Sequence, residues 1–285
     1  IVSAVRLTVG GNGDSTTFSG QITGDGSIAK AGAGTWTLSG NNTYGGGTTI
    51  NAGTLSISAD ANLGSSALAL GGGTLQTTAS FTTTRATTLN SGGGTFETAT
   101  GTTLTHNGVI DGGGGLTKTG AGTLVLGSFF NSYSGGTTIN AGTLSVSTNG
   151  ALGSGGFLVF NGGTLQTTAS LNTGRATILN SGGGTFETAT GTTFGHIANI
   201  GGAGGLTKTG AGTLVLSGAK SYSGGTTINA GTLSISANSN LGNGDALAFG
   251  GGTLQTTASF TTTRATTLNS GGGTFETATG TTLTH

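Results

Sequence analysis

Gly92-Gly93-Gly94-Thr95-Phe96-Glu97-Thr98-Ala99-Thr100-Gly101 returns verbatim at Gly182 to Gly191 and again at Gly271 to Gly280. The two intervals are 90 and 89 residues. Self-similarity at a long fixed period is the signature of a repeat architecture, and it takes precedence over local propensity. A second string, Gly-Leu-Thr-Lys-Thr-Gly-Ala-Gly-Thr-Leu-Val-Leu, runs from Gly115 and again from Gly205. A worn version of it closes at Gly32-Ala33-Gly34-Thr35-Trp36-Thr37-Leu38.

A shorter period lies inside the long one. The triplet Gly-Thr-apolar places its third member at Trp36, Leu55, Leu75, Phe96, Leu124, Leu144, Leu165, Phe186, Leu214, Leu233, Leu254 and Phe275. Successive gaps are 19 to 21 residues, apart from two gaps of 28. A spacing of about 20 is one rung of a solenoid. The 28-residue gaps read as a rung with a longer excursion, which gives four rungs to each unit of roughly 90 residues.

After each triplet the chain alternates, with Leu55 and Ile57 on one face and Ser56 on the other. Leu144 and Val146 flank Ser145 in the same way. A two-residue period means strand. A second short strand ends at Ile50, Leu70, Leu89, Ile139, Phe160 and Leu179, and a turn rich in Gly, Asn and Ala joins it to the triplet. Glycine suits such turns because it adopts positive φ without a steric penalty.

Short strands in a coil of constant length pair in register with the rungs on either side, all in one direction. The expected fold is all-β: a single-stranded right-handed parallel β-helix of about 12–13 rungs, roughly 60 Å long at ~4.8 Å per rung. It is one continuous segment over residues 1–285, with units of roughly 1–101, 102–191 and 192–285. The Leu-Leu-Leu-Phe column is expected to form the core, lining one interior wall. The chain opens on Ile1-Val2-Ser3-Ala4, which has no signal-peptide pattern, and stops in mid-pattern at His285. It therefore reads as a fragment of a longer array.

Composition limits what such a coil does. Of 285 residues, 63 are glycine, none is proline, cysteine or methionine, and 6% are charged, with net charge zero. The absence of proline and of a three-residue glycine register excludes a collagen helix, and the regular apolar and β-branched positions argue against disorder. With no basic stripe, nucleic acid is not an expected partner. No polybasic membrane patch is present either, and no apolar run approaches the ~20 residues of a membrane-spanning helix. Without cysteine there is no disulfide or thiol chemistry.

The passage Gly205-Leu206-Thr207-Lys208-Thr209-Gly210-Ala211-Gly212-Thr213-Leu214-Val215-Leu216-Ser217-Gly218 continues, after Ala219-Lys220, as Ser221-Tyr222-Ser223-Gly224-Gly225-Thr226-Thr227-Ile228-Asn229-Ala230-Gly231-Thr232-Leu233. It closely resembles the autotransporter-associated β-strand repeat, also called the passenger-associated transport repeat. The pattern recurs from Gly115 to Leu144 and in weaker form from Lys30 to Leu55. The resemblance implies a β-helical passenger of a type V secreted protein, displayed extracellularly on a Gram-negative bacterial surface. Membrane anchoring would then come only through segments outside this chain. The repeat has no catalytic residues to carry over.

The residues themselves agree. His106, His196 and His285 recur once per unit, so rung spacing keeps them from sharing a metal, whose ligands lie about 2 Å from it. A surface or turn role is expected for them. Glu97, Glu187 and Glu276 follow inward phenylalanines and so face outward, too far apart for the 5–10 Å carboxylate pairs of glycosidases. Asp60, Asn149 and Asn238 are equivalent turn-formers. Gly10-Gly11-Asn12-Gly13-Asp14 is a single copy of a calcium-type turn that needs tandem copies. Lys30, Lys118 and Lys208, with Arg85, Arg175 and Arg264, read as solubilising surface charges or guards against edge pairing. Tyr44, Tyr133 and Tyr222 are expected to pack over turns. Phe129-Phe130 occupies a loop one residue longer than its counterparts, so Phe129, Phe130 and Tyr133 form the candidate contact patch. No catalytic, cofactor or metal site is expected.

The leading expectation is a structural stalk, spacer or filament segment supporting adhesion, with chains able to associate end to end through open strand edges, and with a surface glycan or protein as target. A carbohydrate- or ice-binding module is the alternative, on threonine runs such as Thr82-Thr83-Thr84 and Thr261-Thr262-Thr263. A polysaccharide-degrading β-helix ranks third, because the charges are sparse.

Overall fold

A computed structural model describes residues 5–285, so the reading of the first four residues lies outside the described residues. The fold is an all-β parallel β-solenoid of about 13 turns. Its only helical pieces among the described residues are single 3₁₀ turns at Asp60–Leu63, Asn149–Leu152 and Asn238–Leu241. Each begins at one of the three Asp/Asn positions expected to form turns. Clustering of contacts divides the chain into two units, one running to Thr138 and including Gly150–Gly156, the other comprising Ile139–Asn149 and Phe157–His285.

In the first unit each turn of the coil has three sides. One sheet stacks Arg6–Val9, Ser27–Lys30, Thr48–Ile50, Leu68–Leu70, Thr87–Leu89 and Ile110–Asp111. A second stacks Thr16–Phe18, Thr35–Leu38, Thr54–Ile57, Thr74–Thr77, Gly94–Thr98 and Leu116–Thr119. The third side carries Phe81–Thr83, Thr103–His106 and Thr123–Leu126. Where it has no strand, the 3₁₀ turn takes its place.

The second unit is built alike. One sheet there contains Leu158–Phe160, Thr177–Leu179 and Ile200–Gly201. Another runs from Thr143–Val146 through Thr164–Thr167, Gly184–Thr188, Leu206–Thr209, Thr226–Ile228 and Ala246–Phe249 to Ala265–Leu268. A third runs from Leu171–Thr173 through Thr193–His196, Thr213–Leu216, Thr232–Ile235 and Thr253–Thr256 to Thr274–Thr277.

The alternation works as the sequence predicts. Trp36 and Leu38 are buried while Thr35 and Thr37 face outward, and register stacks Trp36 on Leu55, Leu75 and Phe96 in turn. Leu55, Leu75, Phe96, Leu144, Leu165, Phe186, Leu214, Leu233 and Leu254 are all buried. Each such side chain contributes about 1.5–3 kcal/mol on leaving water, offset by the entropy of ordering its strand. Phe275 is the exception among the triplet residues, 41% exposed on Thr274–Thr277, the last strand of its sheet.

One expectation is overturned. The 28-residue gap is not a long rung. Phe96 is followed in its own column by Lys118, 22 residues on, and Phe186 by Lys208 at the same interval. Leu124 instead continues the column of Leu104 on the third side, and Leu214 that of Phe194. The Gly-Thr-apolar string therefore leaves its sheet after the phenylalanine and resumes on the next one. In the first unit Trp36 lies in the second sheet and Leu124 on the third side. In the second unit the columns of Phe186 and Leu214 likewise occupy different sheets. A 90-residue repeat is thus four turns and one third, every turn keeping about 20–22 residues.

The turn that makes this step possible is Thr-Gly-Ala-Gly. Gly120 and Gly210 sit at φ +70° and +71°, and a Cβ on either would collide with the carbonyl of Thr98 or Thr188 one rung away. Only glycine meets both demands at once.

Candidate functional site

The interior of the coil carries most of the chain's recurrent ionisable groups. Alternation along Leu116–Thr119 puts Lys118 on the same face as Leu116, and both are buried. Lys30 and Lys208 are buried in the same way. These lysines are not surface charges. Lys208 Nζ donates to the carbonyls of Thr209 (2.5 Å), Gly210 (2.7 Å) and Ala230 (3.3 Å). Lys30 Nζ makes the equivalent bonds to Ala31, Gly32 and Ala52. An ammonium in this place ends a hydrophobic column and satisfies carbonyls of the Thr-Gly-Ala-Gly turn that no strand pairs. Burial pushes Lys118 and Lys208 down to about 8, with Glu97 and Glu187 respectively opposing it, and lowers Lys30 too.

The arginines cap the 3₁₀ turns. Arg85 Nε meets Asp60 Oδ1 at 2.8 Å, and its terminal nitrogens donate to the carbonyls of Ser66, Asp60 and Gly64. Arg264 Nε meets Asn238 Oδ1 at 2.8 Å, with carbonyls of Gly242 and Gly244 on its terminal nitrogens. Arg175 is half-buried at the matching position. The exchange of Asp60 for asparagine therefore keeps the acceptor and drops the charge.

His106 and His196 are interior residues, not turn or surface ones. Each ends a strand on the face of its inward neighbour, Leu104 or Phe194, and both are buried. Nε2 of each accepts from a threonine hydroxyl one rung back, Thr87 or Thr177, at 2.8 Å. Burial pushes both down to about 4. His285 is exposed beside Thr266 and, within the second unit, lies on a different side of the coil from His196.

The tyrosines pack over the turns as expected, more deeply than a contact role allows. Tyr44, Tyr133 and Tyr222 are buried, each bonded through its hydroxyl to Thr48, Thr137 or Thr226 at 2.5–2.7 Å. Burial raises Tyr44 and takes Tyr222 up to about 12. Tyr133 therefore leaves the candidate contact patch, being 0% exposed. Phe129 and Phe130 are 61% and 81% exposed, with Val109 also exposed.

Outward positions form ladders. Glu97 and Glu187 each accept from a glutamine one rung back, Gln76 or Gln166, at 2.9 Å. Glu187 and Glu276 stand on different sheets of the second unit. The threonine of each triplet stacks on the next. Thr35, Thr54, Thr74, Thr95 and Thr117 form a five-member row in the first unit. The second unit has two such rows, Thr143–Thr164–Thr185–Thr207–Thr227 and Thr193–Thr213–Thr232–Thr253–Thr274. A shallow groove of about 270 Å³, walled by Gly92, Gly93, Gly94 and Gly115, runs beside Thr95 and Thr117. The run Thr82-Thr83-Thr84 makes no such row, because Thr83 is buried and Thr82 leads through Thr105 to Val125. The Asn12–Asp14 turn closes on itself, with Asn12 Nδ2 on Asp14 Oδ2 at 2.6 Å. Among the described residues no cluster of His, Asp or Glu has the geometry of a metal site, and no helix is long and apolar enough to cross a membrane.

The face-switching segments are also where the chain matches known proteins. The model of the passenger-associated transport repeat fits residues 28–57, 116–146 and 206–235. The chain carries three passenger-associated transport repeats. Each repeat spans the buried lysine, the glycine turn, the buried tyrosine and the strand pair that follows. An 89-residue stretch is 44% identical to the adhesin BmaC autotransporter of Brucella suis biovar 1 (strain 1330), covering 30% of this chain and 3% of that protein. The chain thus spans a small part of the length of that relative. No solved structure matches the chain.

Proposed function

We propose that this chain is a supporting segment, a stalk or spacer, in the secreted passenger of a bacterial autotransporter, acting without catalysis to hold adhesive parts away from the cell surface. The observation that carries this reading is the use of the interior. Inward positions stack as columns, and the recurrent interior lysines bond to backbone carbonyls rather than converging on a cleft. The three passenger-associated transport repeats and the similarity to an adhesin autotransporter support the same reading. Gram-negative surface display belongs to it. Electron microscopy of the longer protein is expected to show extended rods containing this segment, and compact globules would refute the stalk.

A second reading rests on the threonine rows. Hydroxyl and methyl groups repeat at the strand spacing of ~4.8 Å along a sheet face, an arrangement suited to ordering water or lying along a neutral polymer. A thermal-hysteresis measurement on the purified chain decides the water-ordering form of it: growth arrest of ice crystals supports it, and freezing like a non-binding control removes it.

A further inference from the structure

The three repeats differ at one buried position. Asn42 and Asn131 each bridge rungs, accepting from the backbone of Ile22 or Ile110 at 2.7–2.8 Å and donating to the carbonyl of Asn62 or Ala151 at 2.7 Å. The third repeat has Lys220 there. Its ammonium is buried and donates to Ser217 O (2.5 Å), Ala198 O (2.6 Å) and His196 O (3.2 Å).

That substitution changes the histidine beside it. In the second repeat His106 has both nitrogens engaged: Nε2 with Thr87 and Nδ1 with Gly108 O at 3.2 Å. Ala198 O is the equivalent carbonyl for His196, and Lys220 occupies it. Nδ1 of His196 is left buried without a hydrogen bond. The charges around the two rings differ as well. Asp60, itself paired with Arg85, lies close enough to favour a charged His106. The residue equivalent to Asp60 in the next repeat is Asn149, a neutral one. His196 faces Thr177, the rings of Phe186 (5.9 Å) and Phe194 (6.2 Å), and the cation of Lys220. Arg175, on the preceding corner, adds no negative charge.

We propose that His196 and Lys220 form an acid-sensitive latch, in which protonation of His196 releases the loop Ser217–Ser223 from the rung beneath it while the equivalent loop at 128–134 stays closed. A second cation on His196 would stand beside an ammonium with no carboxylate to balance it, in a site from which water is excluded. The least costly relief is local: Lys220 swings out to solvent, and the loop it holds opens with it. Sub-global opening of one segment ahead of the rest is the ordinary response of a repeat fold.

Hydrogen exchange, corrected for intrinsic rates, tests this on the intact chain between pH 7 and pH 4.5. Peptides covering 217–223 are expected to lose protection at higher pH than those covering 128–134, by about one pH unit, or about tenfold in opening at pH 5. Lys220→Asn, which installs the residue of the other two repeats, is expected to bring the two loops together. Loss of protection at one common pH in the wild-type chain overturns the latch. A gap that persists in Lys220→Asn overturns it too.

Discussion

Replacing Phe186 by alanine lowers the stability of the second unit by about 3–5 kcal/mol, the range for a fully buried phenylalanine whose cavity cannot collapse. The reason lies in its neighbours. Phe186 is fully buried, and its ring meets Phe160 at 5.3 Å, Phe194 at 5.4 Å and His196 at 5.9 Å. Aromatic pairs of this kind add about 0.5–1.5 kcal/mol beyond area burial. Phe96, its counterpart in the first unit, meets one ring, that of His106 at 5.8 Å. Phe96→Ala is therefore expected at the lower end of the same range. Urea titration followed by far-UV circular dichroism measures both. A loss below about 1 kcal/mol for Phe186→Ala would mean that the aromatic column does not hold the rungs.

Acid is the second large effect. Both interior histidines are pushed down to about 4, chiefly by burial, from an ordinary value of 6.5. Between those values the unfolded chain binds protons that the folded one refuses, so stability falls as pH falls. The contribution is whole above about pH 6.5 and is lost on the way to pH 4. Each histidine accounts for about 3 kcal/mol at pH 4, since one unit of pKa is worth about 1.4 kcal/mol. The interior lysines act with the same sign at the other end. Lys118, Lys208 and Lys220 are lowered to about 8 from 10.5, so stability rises further between those values. Urea midpoints at pH 4, 5.5, 7 and 9 are expected to climb monotonically. A maximum near pH 5 would contradict the burial of His106 and His196. Replacing both histidines by glutamine is expected to flatten the acid limb.

Much of the fold can be read directly from the chain. The two nested periods, the two-residue alternation and the glycine turns prescribe parallel rungs, and the structure has them. The step from one face to the next was harder to see. A gap of 28 residues fits an enlarged rung as well as a rung plus a third, and only the pairing of Phe96 with Lys118 separates the two. The signal was nonetheless present. In Leu116-Thr117-Lys118 the alternation places the lysine inward, and in Leu104-Thr105-His106 it does the same for the histidine. Composition argued the other way, because lysine and histidine are seldom fully buried without a partner. Here the partners are backbone carbonyls and a threonine hydroxyl one rung away, which no local pattern announces. Tyr133 was misplaced for a related reason: its hydroxyl finds Thr137 only after the loop folds inward. The exposed Phe129 and Phe130 were legible because their loop is longer than its counterparts.

The face-switching coil is tested most directly by a pair of engineered cysteines in a chain that has none of its own. Thr185 and Thr207 are paired across adjacent strands, at a spacing of ~4.8 Å that lies within the 4.4–6.8 Å range a disulfide spans. Thr213, which a straight column would place beneath Thr185, lies in another sheet. Under mild oxidation the Thr185→Cys/Thr207→Cys chain is expected to cross-link in full and the Thr185→Cys/Thr213→Cys chain not at all. Cross-linking of the second pair without the first would contradict the fold.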